Sequence, residues 1–437
     1  MNAEVRHIRT VAEQTLLDAF VTHKDRLSGA AGERADAFRM FEEAGLPHRR
    51  VEEWKYTDLR ALMRDAKPLA ARPDKKALTA AKKASKLRGV EARKLVLVNG
   101  TFVFELSDLA TLEPGLTIAS LSDALAGNDP AVNAIGKVVP TKDIAVALNT
   151  AFMTDGVVIG VAAGAKIERP ILLVHVFVGE AAAVFTRSVV SIGDDARLTL
   201  LEVFEGPADV DYQVNAGLDI AIGDRAHVDH IKIGRDGKRA LHLDSTMLRI
   251  GSQSQLHDFA FTIGGAVTRN QVFLRMAGEG TKVAVRGANL LRGRQHVDTT
   301  MIVDHAAVGC ESRELFKHVL DDDSRSVFQG KIIVRPGAQK TDGKMASHAL
   351  LLSENAEADS KPELEIFADD VICGHGSTAG ALDEDLLFYL KARGIPPKEA
   401  EALLIQSFVG EAIETIEHEG VREVLLNAAS EWLAARA

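Results

Sequence analysis

Ile192-Gly-Asp-Asp-Ala-Arg-Leu198, Ile222-Gly-Asp-Arg-Ala-His-Val228 and Ile250-Gly-Ser-Gln-Ser-Gln-Leu256 are three versions of one phrase, and Ala277-Gly-Glu-Gly-Thr-Lys-Val283 is a looser fourth. Their glycines stand at 193, 223, 251 and 278, so the phrase returns after 30, 28 and 27 residues. Each copy is an apolar strand end, a tight polar turn and the start of a new strand. A unit of this size cannot bury its own apolar face, so units must stack, which is the signature of a solenoid. No helical periodicity lies between the turns, and the expected fold is therefore a parallel β-helix. A β-sandwich would have less regular turns, and a left-handed β-helix would show a hexapeptide period that is absent.

Outward from the repeat, short β-type runs fill residues 156–381, the expected core. On its N-terminal side, Leu95–Phe104 (LVLVNGTFVF) is a hairpin about an Asn-Gly turn, within a mixed connection over 95–155. Residues 1–94 are read as a helical domain with a basic linker. Leu16, Leu17 and Phe20, then Phe38 and Phe41, recur at helical spacing, and RRVEEWKYTDLR at 49–60 is read as a surface helix anchored by Trp54. Arg64–Lys94 holds eleven Lys and Arg against three Asp and Glu, an excess of +8 that leaves −18 for the rest of a chain whose net charge is −10. With Pro68, Pro73 and many Ala it is expected to be a solvated spacer. On the C-terminal side, 382–437 is read as three helices: Asp383-Glu-Asp caps the first, Pro396 and Pro397 open the second, and Val421 to Trp432 line a face of the third.

Composition limits the function classes. Hydrophobic residues make up 46% of the 437, enough for a large core, while the acidic balance argues against a nucleic-acid surface. The opening MNAEVRHIRTVAEQ has no apolar leader, and no run approaches the roughly 18 apolar residues of a membrane span; a cytoplasmic protein is expected. Two cysteines, Cys310 and Cys373, make no disulfide framework. Walker A, GxGxxG and CxxC patterns are missing.

Chemistry concentrates in Leu364–Gly380 (LEIFADDVICGHGSTAG). Cys373 and His375 are two apart and share one strand face, as metal ligands or a nucleophile and its base do; the bland alternative is a buried cysteine beside a structural histidine. One Cys and one His cannot complete a four-ligand site, so a second chain would have to supply the rest. His227 and Asp229 look ligand-like, but His230 falls on the opposite face. His296, Asp298, Asp304 and His305 have no recognised metal spacing, and Asp321–Asp323 is most simply a turn. Asp369 and Asp370 would suit a carbohydrate-active β-helix enzyme, and a purely structural homodimeric β-helix is a third reading.

RRVEEWKYTDLR, QKTD at 339–342, SKPELEIFADDVICGHGSTAGALDEDLLFYLKARGI from Ser360 to Ile395 and the helical tail together resemble the SufD family of the Suf iron-sulfur cluster assembly machine, nearly throughout the chain. The 360–395 block is shared in type with the paralogous SufB family; the N-terminal block, the modest length and the scarcity of cysteine favour the SufD type. The resemblance implies a right-handed parallel β-helix between N- and C-terminal helical domains. It also implies a non-catalytic scaffold that pairs with a SufB-like subunit through the β-helix and binds a SufC-like ATPase through the C-terminal helices, with sulfur coming indirectly from a cysteine desulfurase system. His375 matches a position implicated at the SufB–SufD interface, and Cys373 also matches, so both are candidate ligands of a transient iron-sulfur cluster, Cys373 as a thiolate. The helix face with Leu386, Leu387, Phe388 and Tyr389 is the candidate ATPase dock. A reduced flavin is implied for the assembled complex, at no residue that can be named here.

Overall fold

A computed structural model of the chain describes residues 9–83, 87 and 89–436. The first eight residues of the polar N-terminus, and 84–86 and 88 of the basic segment, lie outside the described residues.

From Val157 to Gly380 successive strands alternate between two parallel sheets, so that each coil lays one strand in each sheet and about eight coils stack into a solenoid. The repeat therefore reports the coil length. Ile192, Ile222, Ile250, Met276, His305, Val334 and Ile366 stand directly opposite one another in consecutive coils of the first sheet. Side chains alternate between lumen and exterior along each strand. The lumen column of Val190, Ile220, Leu248, Leu274, Val303 and Ile332 is wholly buried, which is what makes the stack stable: no coil has an apolar face to bury until its neighbour arrives.

The glycine of the repeated phrase is needed for close approach between coils. A Cβ on Gly223 would lie 2.8 Å from the Gly193 carbonyl carbon, and one on Gly278 would lie 2.0 Å from the Ser252 nitrogen. The left-handed turn residue comes two positions later, at Asp195, Arg225 and Gln253, with φ of 58°, 55° and 57°.

The two ends differ. At the N-terminal end Arg93–Val98 joins the second sheet parallel to Ile171–Val176, and Thr101–Phe102 folds back antiparallel through Asn99 and Gly100, both at positive φ, as the hairpin reading requires. Leu116–Ser120 closes the first sheet antiparallel to Val157–Val161. At the C-terminal end Glu357–Ile366 and Ile372–Gly380 are the last strands of their sheets, each with one unpaired edge.

Helices cover both outer faces. Val11–His23, Ala31–Ala44 and Ile144–Phe152 bury Phe20, Phe38, Phe41 and Phe152 against Phe185, Leu241 and Leu243 of the first sheet. Pro397–Ile413 and Glu419–Ala434 bury Ile405, Val409, Val421, Leu425 and Trp432 against Ile231, Ile233, Phe259, Phe261, Leu290 and Val319 of the second.

Two expectations fail. Residues 49–60 form no continuous surface helix: a short turn at Glu52–Trp54 precedes a four-residue helix at Leu59–Leu62. Trp54 is fully buried, stacks 3.8 Å under the Arg269 guanidinium and donates from Nε1 to Asp143 at 2.9 Å. Arg269 also pairs with Asp298, which accepts from Thr57, and donates to the Glu53 carbonyl. The block thus clamps the N-terminal helices to the first sheet. Nor is the basic segment a free spacer, since Leu69 bridges to Ala183, Lys67 pairs with Asp211, and Ala81 and Leu87 are buried with the C-terminal helices. Lys75, Lys76, Lys82 and Lys83 lie exposed on the solvent side of a strap laid along the solenoid, a distinction that composition does not carry.

Candidate functional site at the open rim

The register decides where Cys373 and His375 point. Cys373 stands opposite Gly343 and His375 opposite Met345, and both of those positions face the lumen. Cys373 therefore ends the column Leu198, Val228, Leu256, Val283, Ser312, Gly343, and His375 ends the column Leu200, His230, Asp258, Val285, Glu314, Met345. The expected shared face is present, and it is the lumen face of the last coil. Cys373 is half-buried against the lumen core and His375 is exposed. Ser360 and Ser377 hydrogen-bond across the lumen at 2.7 Å, linking the last two strands. Ile366, Phe367 and Ile372, apolar yet 41–66% exposed, flank the turn of this coil.

The electrostatics correct one expectation. Burial pushes the Cys373 thiol up, and the nearby Asp342 and Glu314 carboxyls push it further, against a lowering hydrogen bond from the Gly343 backbone. In this chain alone Cys373 is a thiol at neutral pH, and a metal must displace its proton. Deeper in the His375 column Glu314 is buried with neither oxygen in good hydrogen-bonding geometry, and burial outweighs the lowering influence of Ser312 and Arg313 and pushes its carboxyl up to about 8. Further in, His230 is held between Asp258 at 2.6 Å and Glu202 at 2.9 Å. Burial opposes its charge, but the two acceptors outweigh it and bring it up to about 9. Cys310 is a free, fully buried thiol in another turn, its Sγ 3.3 Å from the Gly278 carbonyl oxygen.

Leu386, Leu387, Phe388 and Tyr389 lie together on Glu384–Ala392, a helix capped by Asp383 that buries none of its residues. Phe388 is 71% exposed, and Arg393 stacks 4.5 Å over the Tyr389 ring. Of the other histidines noted in the sequence, His227 stays beside Asp229 on the outer face of the second sheet, and the rest disperse. His230 and His305 face the lumen, His305 bound to Ser312. His296 meets Thr57, and Asp304 pairs with Arg335 outside. Asp322 takes a left-handed turn conformation, as expected of that acidic run, and Asp370 pairs with Lys340. The residues that sequence reasoning missed are Glu314 and His257. Each lies one or more coil periods from a noticed residue, a signal readable only once the register is known.

This geometry defines a class: a two-sheet parallel β-solenoid, closed at one end and open at the other, with ligand-type side chains at the open end. The family follows from comparison. Residues 12–173 match the SufBD protein N-terminal region and 175–408 the SufBD core domain of the SUF system for FeS cluster assembly, so the chain belongs to the SufBD family and functions in iron-sulfur cluster assembly. It is 31% identical to the iron-sulfur cluster assembly protein SufD of Escherichia coli, covering 87% of this chain and 88% of that one. It is also 31% identical to the SufBD family protein slr0076 of Synechocystis, over 85% and 84% of the two chains, and 26% identical to SufD of Bacillus subtilis, over 64% and 65%. Among the described residues no helix is long and apolar enough to cross a membrane.

Proposed function

We propose that the chain is a non-catalytic, cytoplasmic scaffold subunit. Its open rim pairs with a SufB-like subunit, helix Glu384–Ala392 docks a SufC-like ATPase, and His375 with Cys373 contributes ligands to an iron-sulfur cluster built across the rim as cargo. Sulfur reaches that interface from a cysteine desulfurase system, and the reduced flavin is assigned to the assembled complex. The observation that carries the reading is the placement of a thiol and an imidazole on the lumen face of a strand whose outer edge is unpaired and flanked by exposed apolar side chains. Half a ligand set on an unpaired edge is what a shared site requires. Neutral imidazole and sulfur are the donors that iron takes.

The test is the co-expressed three-subunit complex carrying His375→Ala. Cluster yield should fall to roughly a tenth or less, the usual loss on removing a metal ligand or its support, while subunit composition by size exclusion stays the same. Full cluster yield rejects the ligand role. Cys373→Ser in the same assay should cost less, because a hydroxyl leaves room for a replacement donor.

A further inference from the structure

The outer face of the second sheet carries another set of metal-ligand side chains, on the opposite side of strand His227–Arg235 from the lumen. His227 opens that strand, and Asp229, two residues on, shares its face. His257 stands opposite Asp229 on the neighbouring strand. The two C-terminal helices fold back over this face, and the connection between them brings Glu417 down onto it.

One ligand atom from each of His227, His257 and Glu417 lies within 4.8 Å of the other two. Glu417 Oε2 is 3.9 Å from His227 Nε2. Asp229 sits between the rings, with Oδ2 3.5 Å from His227 Nε2 and Oδ1 3.1 Å from His257 Nδ1. The two rings meet edge to face, their centroids 5.6 Å apart. A cavity of about 20 Å³, room for one water-sized sphere, opens between Asp229, His257, Arg286 and Glu417.

Hydrogen bonding within the cluster does not account for all of it. His227 Nε2 is screened from water, and its nearest acceptor, Asp229 Oδ2 at 3.5 Å, is too far for a strong hydrogen bond. Ligand types from positions 257 and 417 line this small void, and His227 stands beside them with its ligand atom within reach of both. Their separations approach the edge of a tetrahedron whose metal–ligand distances are about 2.0–2.2 Å, an edge of roughly 3.3–3.6 Å. Two imidazoles and a carboxylate select a borderline transition ion and disfavour calcium or magnesium, which take oxygen. Arg197, half-exposed and 3.5 Å from Glu417, is free to swing away when a cation replaces it.

We propose that His227, His257 and Glu417 bind a divalent ion of the zinc class, with Asp229 orienting the His257 ring through its Nδ1 proton. The ion ties the connection between the last two helices to the solenoid. Binding is then linked to the docking of those helices. The site is remote from the rim and independent of the cluster reading.

Tag-free full-length chain, stripped with chelator, is titrated with Co²⁺, and Zn²⁺ affinity is read by competition with a chromophoric chelator. One equivalent should bind with the visible spectrum of a tetrahedral cobalt site, equally in the parent and in His375→Ala. Affinity should drop about 10–100-fold in Glu417→Gln and in the His227→Gln, His257→Gln double variant. Undiminished affinity in the double variant, or no stoichiometric binding by the parent, overturns the proposal. If the double variant fails to fold, Glu417→Gln decides, because Glu417 is half-exposed and its loss leaves the packing intact; unchanged zinc affinity there overturns it equally.

Discussion

Glu314 has a buried carboxyl with neither oxygen in good hydrogen-bonding geometry, and it sits one coil inside Met345 and two coils inside His375 in the same lumen column. Its ordinary value of 4.5 is raised to about 8 by burial. Between those limits the folded chain keeps a proton that the unfolded chain has lost. Its contribution is therefore intact below about pH 4.5, and stability falls as pH rises towards 8. Glu314→Gln replaces the carboxyl with a neutral group of the same shape and removes that dependence. Denaturant unfolding should find the variant more stable than the parent at pH 8, by on the order of 2–4 kcal/mol, with a much smaller gap at pH 5. An equal gap at both pH values would mean that the carboxyl is not held neutral. Residues of this kind are hard to read from sequence, because a glutamate in a strand is equally well an outward-facing solvated one; only the phase of the coil turns it inward.

The coil turn and the first C-terminal helix are the elements that bear most on assembly. In the turn, Gly278→Ala drives a Cβ into backbone, which cannot rotate away as a side-chain tip can. It should cost about 2–4 kcal/mol in unfolding free energy. Gly337→Ala, with no atom within 4 Å of the added carbon, should stay within about 0.5 kcal/mol. The solenoid was legible from the sequence because its repeat and its coil are the same length, and Asn99-Gly100 and Asp383 were legible because turn and cap chemistry are local. The Trp54 block and the basic strap were not, because what distinguishes a clamp from a surface helix is Arg269 and Asp298, more than 200 residues away. The C-terminal helices divide in a way the sequence does not reveal. Two belong to the core of the second sheet, so deleting 383–437 would strip Ile231, Phe259 and Phe261 of cover and confound any binding assay. Of the three, Glu384–Ala392 alone buries none of its residues. Leu386→Asp with Phe388→Asp should abolish capture of the SufC-like ATPase in a pull-down while the melting temperature changes by no more than a degree or two, since neither side chain is buried. Capture at parental levels would place the dock elsewhere.

On the scale of the whole molecule, the solenoid is polar in the geometric sense: antiparallel strands close one end, and nothing in the described chain closes the other. An uncapped stack carries a cost, because the last coil keeps one apolar face and two rows of unpaired backbone groups in water. The exposure of Ile366 measures that cost, since Ile366 ends a column whose other members are buried, and Ile372 lies exposed on the outer side of the same rim. A partner that continues the stack would bury Ile366 and cover Ile372 at the outer rim of the seam, the two together contributing about 1.5–3 kcal/mol because each is already partly buried. Replacing both with Asp removes this gain and adds two charges to a desolvated seam. The double variant should keep the parental melting temperature, as neither residue is buried in the single chain. Its dissociation constant for the SufB-like subunit, measured by sedimentation velocity, should rise at least 100-fold. Self-association of the isolated chain through the same rim should weaken in parallel. Loss of self-association with full retention of SufB-like binding would show that the rim joins like copies and that the heterologous pairing uses another surface, which would also remove His375 and Cys373 from the shared site.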